Sequence, residues 1–211
     1  MMARVLIADD HAVVRAGLKQ FLMEDRSIRE VGEAATGQQT LDRLRAGGWD
    51  LLILDINMPD RSGLDILKHV RSGFPDTRIL VLSGFPERQY ALNMLRAGAS
   101  GYLAKDSAAE ELMKAVHTIL QGRRYVSATL AELLVSDIDG DGDRPIHAQL
   151  SEREFQIFCK LATGCAVSNI ANELCLSVKT VSTYRSRVLE KMNFKTNADI
   201  TSYALRNGLM Q

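Results

Sequence analysis

The chain has 211 residues, with 26 Lys+Arg against 26 Asp+Glu, so its formal net charge is zero and overall charge selects neither polyanion nor polycation as a partner. Its composition, 46% hydrophobic and 25% charged, is that of a globular protein long enough for one large or two small domains. No apolar run approaches the roughly 20 residues of a membrane span, and the short Val5–Ala8 run, closed by Asp9 and Asp10, is not expected to act as a signal peptide.

The charge is unevenly spread. Residues 1–136 hold 17 basic and 17 acidic groups, residues 137–148 one and four, and residues 149–211 eight and five, so a basic segment follows an acidic linker. Cys159, Cys165 and Cys175 all fall in the last third, an odd number without metal-type spacing. They read as reduced, mostly buried thiols of a cytoplasmic protein.

In chain order, Val5-Leu6-Ile7-Ala8 reads as a buried strand ending in Asp9 and Asp10. From His11 the period becomes helical, with Val13, Val14, Leu18, Phe21 and Leu22 on one side and Arg15, Lys19 and Gln20 on the other. The alternation repeats with a weaker strand over 28–34 and a helix over 37–46. Leu51-Leu52-Ile53-Leu54 is the most strongly apolar strand and stops at Asp55. A helix over 63–71, a strand over 79–82 ending at Ser83, a helix over 87–97 and a strand over 101–104 ending at Lys105 follow. A last helix over 107–121 opens on a Ser107-x-x-Glu110 capping box. Five strands alternating with five helices predict an α/β doubly wound, five-stranded parallel sheet of flavodoxin/receiver-like type. His11 and His69 read as surface or cap residues, and His117 as packing among Leu112, Val116, Ile119 and Leu120.

Asp9, Asp10, Asp55, Ser83 and Lys105 all terminate strands, so one edge of the sheet gathers three carboxylates, a hydroxyl and an ammonium, at the edge where open parallel sheets bind ligands. Clustered carboxylates repel unless a hard, oxygen-liganded cation such as Mg2+ neutralises them, and a nearby lysine suits an anion bound to that metal. The constellation suits a phosphoryl group.

Residues 122–148 read as a linker, between a first domain over 1–121 and a second over 149–211. A short helix is expected over 127–135, on Leu130, Leu133 and Leu134. The run Asp137-Ile138-Asp139-Gly140-Asp141-Gly142-Asp143 superficially resembles a calcium loop but lacks the closing glutamate, and reads as solvated linker. Ser151 and Glu154 form a capping box ahead of Phe155, Ile157, Phe158 and Leu161, and Gly164 ends that helix. Ile170, Ala171 and Leu174 mark a short helix, Leu176-Ser177 a tight turn, 178–192 a third helix and 197–206 a fourth, giving a small all-α four-helix domain with a helix-turn-helix. On the third helix Val181, Val188 and Met192 face the core. Lys179, Ser182, Thr183, Ser186 and Glu190 point outward, Thr180 and Arg187 flank them, and Tyr184 and Arg185 fall nearer the core side. This helix is basic by three, which suits a major groove.

Asp9-Asp10, Leu54-Asp55-x-Asn57-Met58-Pro59, Ser83 and Gly101-Tyr102-Leu103-Ala104-Lys105 together resemble the receiver domain of two-component response regulators. The resemblance implies that Asp55 is phosphorylated by a sensor histidine kinase. It also implies that Asp10, Asp55 and the Asn57 carbonyl hold Mg2+ while Asp9 acts through water, and that Lys105 and Ser83 bind phosphoryl oxygens. Tyr102 would be the switch residue, filling space that Ser83 leaves. Many receivers carry Pro after the lysine; here Asp106 leaves open whether that peptide is cis.

Leu150-Ser151-x-Arg153-Glu154, Ile170-Ala171-x-x-Leu174, Ser177-Val178-Lys179-Thr180-Val181 and Leu189-x-Lys191-Met192 resemble the LuxR-type DNA-binding domain. With the receiver they resemble the NarL/FixJ class, nearest the GacA/UvrY branch through Lys179-Thr180-Val181-x-x-Tyr184-Arg185. This implies base contacts from Ser182, Thr183 and Ser186, phosphate contacts from Lys179, Thr180 and Arg187, and a homodimer on double-stranded DNA when phosphorylated or DNA-bound, with no membrane partner. Two other readings stand beside this transcription factor. A phospho-aspartate phosphatase would need a general acid where Asn57 stands, and a receiver could instead signal through protein contacts alone.

Overall fold

The structure, a computed structural model, describes residues 2–58, 60–84, 87–138, 145–174 and 176–209. It separates into two compact units, Met1–Gly142 and Asp143–Gln211. The first is built on strands β1 (Ala3–Ala8), β2 (Ile28–Ala34), β3 (Leu51–Asp55), β4 (Arg78–Ser83) and β5 (Gly101–Ala104). All are parallel, in the order β2-β1-β3-β4-β5, so the expected doubly wound sheet forms. Helices α1 (Ala12–Met23), α2 (Gly37–Arg45), α3 (Gly63–Gly73), α4 (Glu87–Arg96) and α5 (Ala108–Leu120) make the crossovers and close the first unit's α/β core.

Burial follows from that topology. Every residue of β3 is buried, as a central strand covered on both faces requires. β2, at one edge, carries Arg29, Glu30 and Glu33, charges that discourage pairing with another chain. Tyr125 comes back to the other edge, bridging Gly101 and donating its amide to the Ser100 carbonyl at 2.9 Å. Trp49, the only tryptophan, is buried just before β3. Its Nε1 donates to the Arg43 carbonyl at 2.9 Å and Arg4 lies over its ring at 4.5 Å. Residue 32 must be glycine here, because a Cβ would come within 2.3 Å of the indole.

Three local expectations are corrected. On α1 only Leu18 and Leu22 are buried, while Val13 is 85% and Phe21 46% exposed. At about 100° per residue Val13 lies about 140° from Leu18, and Arg15 sits nearer the core face than expected, where its guanidinium donates to the Asp9 carbonyl at 2.8 Å. Ser107 makes no capping bond, because Lys105–Ser107 form a 3-10 turn and Ser107 has helical rather than extended dihedrals. His117 is not core packing: it is exposed and its Nε2 lies 2.7 Å from Asp25 Oδ2. Among the described residues no peptide bond is cis, and Lys105–Asp106 is trans.

Helix α6 (Ala128–Ile138) starts where Ser127 Oγ accepts the Leu130 amide, buries Leu130, and packs against α4, within the first unit. Of the run read as solvated linker, residues 139–143 lie outside the described residues.

In the second unit α7 (Glu152–Ala162) opens on the expected box, with the Ser151 side chain accepting the Glu154 amide and the Glu154 carboxylate accepting the Ser151 amide. Its C-terminus turns at Gly164 (φ 80). Helices α8 (Val167–Glu173), α9 (Val178–Lys191) and α10 (Asn197–Arg206) complete the bundle. Phe155, Phe158, Leu161, Ile170, Val181, Val188, Met192 and Ile200 form the core. A second capping box, Thr196 with Asp199, starts α10 and was not anticipated. Cys159 and Cys165 are free and half-buried, and burial pushes the Cys159 thiol up to about 12, which makes it a packing group rather than a nucleophile. Cys175 lies outside the described residues.

Candidate functional site

The strand order reverses between β1 and β3, and the register sets Ala8 beside Leu54. The residues that follow, Asp9 and Asp55, therefore emerge side by side at the switch point. Asp55 pairs in register with Leu82 and Ser83 with Ala104, which brings Ser83 and Lys105 to the same edge.

Asp9 and Asp55 are each only 1% exposed. Lys105 Nζ lies 2.7 Å from Asp55 Oδ2 and 2.8 Å from Asp9 Oδ2. The other Asp55 oxygen accepts the Asn57 amide at 3.0 Å. Burial raises the Asp55 pKa above the ordinary carboxylate value; Asp9 adds to this and Lys105 opposes it. Burial also penalises the Lys105 ammonium, but Asp55 and Asp9 outweigh it and its pKa is raised. One ligand atom from each of Asp9, Asp10, His11 and Asp55 falls within a 4.8 Å cluster.

Three carboxylates against one ammonium leave two formal negative charges, which one divalent cation would offset. Asp9 Oδ2 is buried and receives no aligned hydrogen bond beyond its ion-pair contact with Lys105. This donor set fits a hard divalent ion. Ser83 is buried at the end of β4, and Tyr102 is fully buried on β5 beside Val81. Gly84 has open space where a Cβ would stand, while Phe85 and Pro59 lie outside the described residues.

Several supporting residues had no local signal. Asp60 accepts the amides of Gly37 at 2.7 Å and Gln38 at 2.9 Å, tying the loop after β3 to the start of α2. Burial opposes its charge, but those amides hold its pKa below the usual value. Gly63 donates its amide to the Ile56 carbonyl, and a Cβ there would meet Ile56 Cα at 2.4 Å. Gly63→Ala is therefore expected to cost about 1–3 kcal/mol of stability, read as a lowered urea midpoint. His11, read from sequence as a surface or cap residue, is exposed, makes no side-chain capping bond, and places Nδ1 2.7 Å from Asp10 Oδ1 and 3.2 Å from Asp9 Oδ1.

In the second unit α9 presents Lys179, Ser182, Thr183, Ser186 and Arg187 to solvent, with Thr180 half-buried. The Thr183 and Ser186 hydroxyls donate to the carbonyls of Lys179 and Ser182, which leaves their lone pairs outward as acceptors. Arg185 Nε donates to Asn197 Oδ1 at 2.7 Å and Lys191 Nζ, on an exposed side chain, pairs with Glu154 at 2.6 Å, so each cation already has a partner within the second unit. Arg187 lies 5.8 Å from the centre of the Tyr184 ring and keeps its charge outward.

Residues 5–117 match the family described as "Response regulator receiver domain", and residues 148–204 match "Bacterial regulatory proteins, luxR family". The chain is 34% identical over 209 residues to the response regulator UvrY of Escherichia coli K12, covering 99% of this chain and 96% of that protein. It is 33% identical over 211 residues to the response regulator GacA of Pseudomonas aeruginosa, covering 99% and 98%. Among solved structures it resembles RcsB from Salmonella enterica serovar Typhimurium bound to promoter rprA in the presence of the phosphomimetic BeF3−. That match has a TM-score of 0.67 and 26% identity, and covers 96% of this chain and 98% of that one.

Proposed function

Because this chain belongs to the response regulators that join a receiver domain to a LuxR-family DNA-binding domain, we propose that Asp55 is its phosphoacceptor and α9 its DNA-reading helix. The observation that carries this is the meeting of Asp9, Asp10, Asp55 and Lys105 at one rim of the sheet.

Asp55 is the nucleophile: one carboxylate oxygen forms the new P–O bond as the P–N bond of a sensor kinase's phosphohistidine breaks in line, and the imidazole leaves with the electron pair. Lys105, already against Asp55, orients the carboxylate and then pairs with an oxygen of the transferred group. Asp10, Asp55 and the Asn57 carbonyl would hold Mg2+, with Asp9 acting through water, and the ion would supply charge neutralisation for the phosphoryl oxygens. Asn57 stands where a phosphatase needs an acid and cannot provide a carboxyl proton. The receiver's chemistry is its own phosphorylation and dephosphorylation.

Ser83 is drawn to the phosphoryl group and Tyr102 follows it, reshaping the α4–β5 surface against which α6 lies. The output is a cytoplasmic homodimer on two DNA half-sites, with Lys179, Thr180 and Arg187 on phosphates and Ser182, Thr183 and Ser186 toward bases. Selection from random duplex DNA, with and without beryllofluoride, tests both halves. Enrichment of a two-half-site sequence that strengthens with the mimic is expected; identical enrichment in both arms would break the proposed coupling.

A further inference from the structure

The phosphoacceptor rim contains one ligand-type atom that the oxygen-based Mg2+ site does not use. His11 Nδ1 lies 2.7 Å from Asp10 Oδ1 and 3.2 Å from Asp9 Oδ1, and the side chain is 62% exposed. It stands at the N-cap position of α1 but makes no side-chain capping bond. Its own backbone amide donates to Asp9 Oδ1 at 2.8 Å, which pins the residue against the carboxylates. One ligand atom from each of Asp9, Asp10, His11 and Asp55 lies within 4.8 Å of the others, close enough for a single ion to bridge them. Asp9 Oδ2, buried and lacking an aligned hydrogen bond, faces the same rim through Lys105.

We propose that His11 is a nitrogen ligand that gives this site a preference for imidazole-seeking first-row divalent cations over Mg2+. Magnesium is hard and keeps oxygen ligands and water, so it gains little from an imidazole; Co2+, Ni2+ or Zn2+ gain a bond suited to them. His11 thereby sets which ion occupies the receiver when the two kinds compete. The inference rests on the proposed metal site and adds to it a residue that discriminates between ions.

Calorimetric titration of the full chain with Co2+ and separately with Mg2+, for wild type and His11→Ala, tests it. His11 is exposed and uncapping, so the variant keeps its fold. The variant is expected to lose Co2+ affinity by about tenfold or more, with Mg2+ affinity changed less than about twofold and the visible spectrum of bound Co2+ altered by loss of the nitrogen. Unchanged Co2+ affinity and spectrum would overturn the proposal. So would equal weakening of both ions, which would make His11 only a brace for Asp10. Failure of the wild type to bind Mg2+ would instead count against the proposed magnesium site, and the His11-dependence of Co2+ binding would still be decided.

Discussion

Asp55→Asn is expected to reduce labelling by a small acyl-phosphate donor to background, because the amide offers no nucleophilic oxygen while filling the same space. Phosphate release on acid treatment and a phosphate-affinity gel measure it, and persistent labelling would remove Asp55 from the reaction. The variant carries a second signature. Burial raises the Asp55 pKa in the folded state, so the folded chain binds that proton more tightly than the unfolded one. The wild type therefore loses stability as pH rises from the unfolded carboxylate value through the folded one, and the loss persists at neutral pH. With metal chelated, Asp55→Asn is expected to melt higher than wild type at pH 7, with the gap closing below about pH 4. Lys105 keeps Asp9 as its partner in the variant, so no bare ammonium is left to obscure the comparison. Adding Mg2+ should raise the wild-type melting temperature more than that of the variant.

The second large effect is ionic. Four cations lie on α9, but Arg185 is held by Asn197 and Lys191 by Glu154. Lys179 and Arg187 remain, which gives a dimer four phosphate-seeking charges. At about −0.9 per charge, the slope of log affinity against log salt is expected near −3.6, and specific affinity should fall by about 150-fold between 50 and 200 mM salt. Fluorescence anisotropy with a selected duplex reads it. A slope near −7 would mean that all four cations reach phosphates, and a flat response would exclude groove binding through α9. Lys179→Ala in both protomers should flatten the slope by about 1.8 units.

β1, β3, β4 and β5 were legible because each is a short apolar run stopped by a polar residue, while β2, with three charges, gave a weaker signal; β2, β5 and α10 nonetheless begin and end where pattern puts them. The rim was legible for the same reason, since Asp9, Asp10, Asp55, Ser83 and Lys105 are the stopping residues themselves. Features that depend on distant partners were not. Asp60 carries no signal of its own in the sequence, and its role depends on the amides of α2, more than 20 residues earlier, which it accepts. Apolar spacing predicted α1 as a helix, but a 12-residue helix with Val13 and Phe21 off the main stripe leaves its buried face underdetermined. Ser107 and Glu110 have the right spacing for a box, yet spacing cannot supply the extended dihedral a cap needs. His117 has the periodicity of a core position, and only the facing Asp25 carboxylate shows why it stays at the surface.

The placement of the lone indole also governs how this molecule can be watched. Trp49 precedes Asp55 by six residues along a nearly straight chain, about 20 Å away at the opposite end of the sheet. Its emission will report melting of the α/β half with good contrast, yet stay nearly blind to ion loading at the rim and silent about the helical half. Equilibrium unfolding followed by that emission alone would count one transition where circular dichroism, sensitive to α7 through α10, can register two.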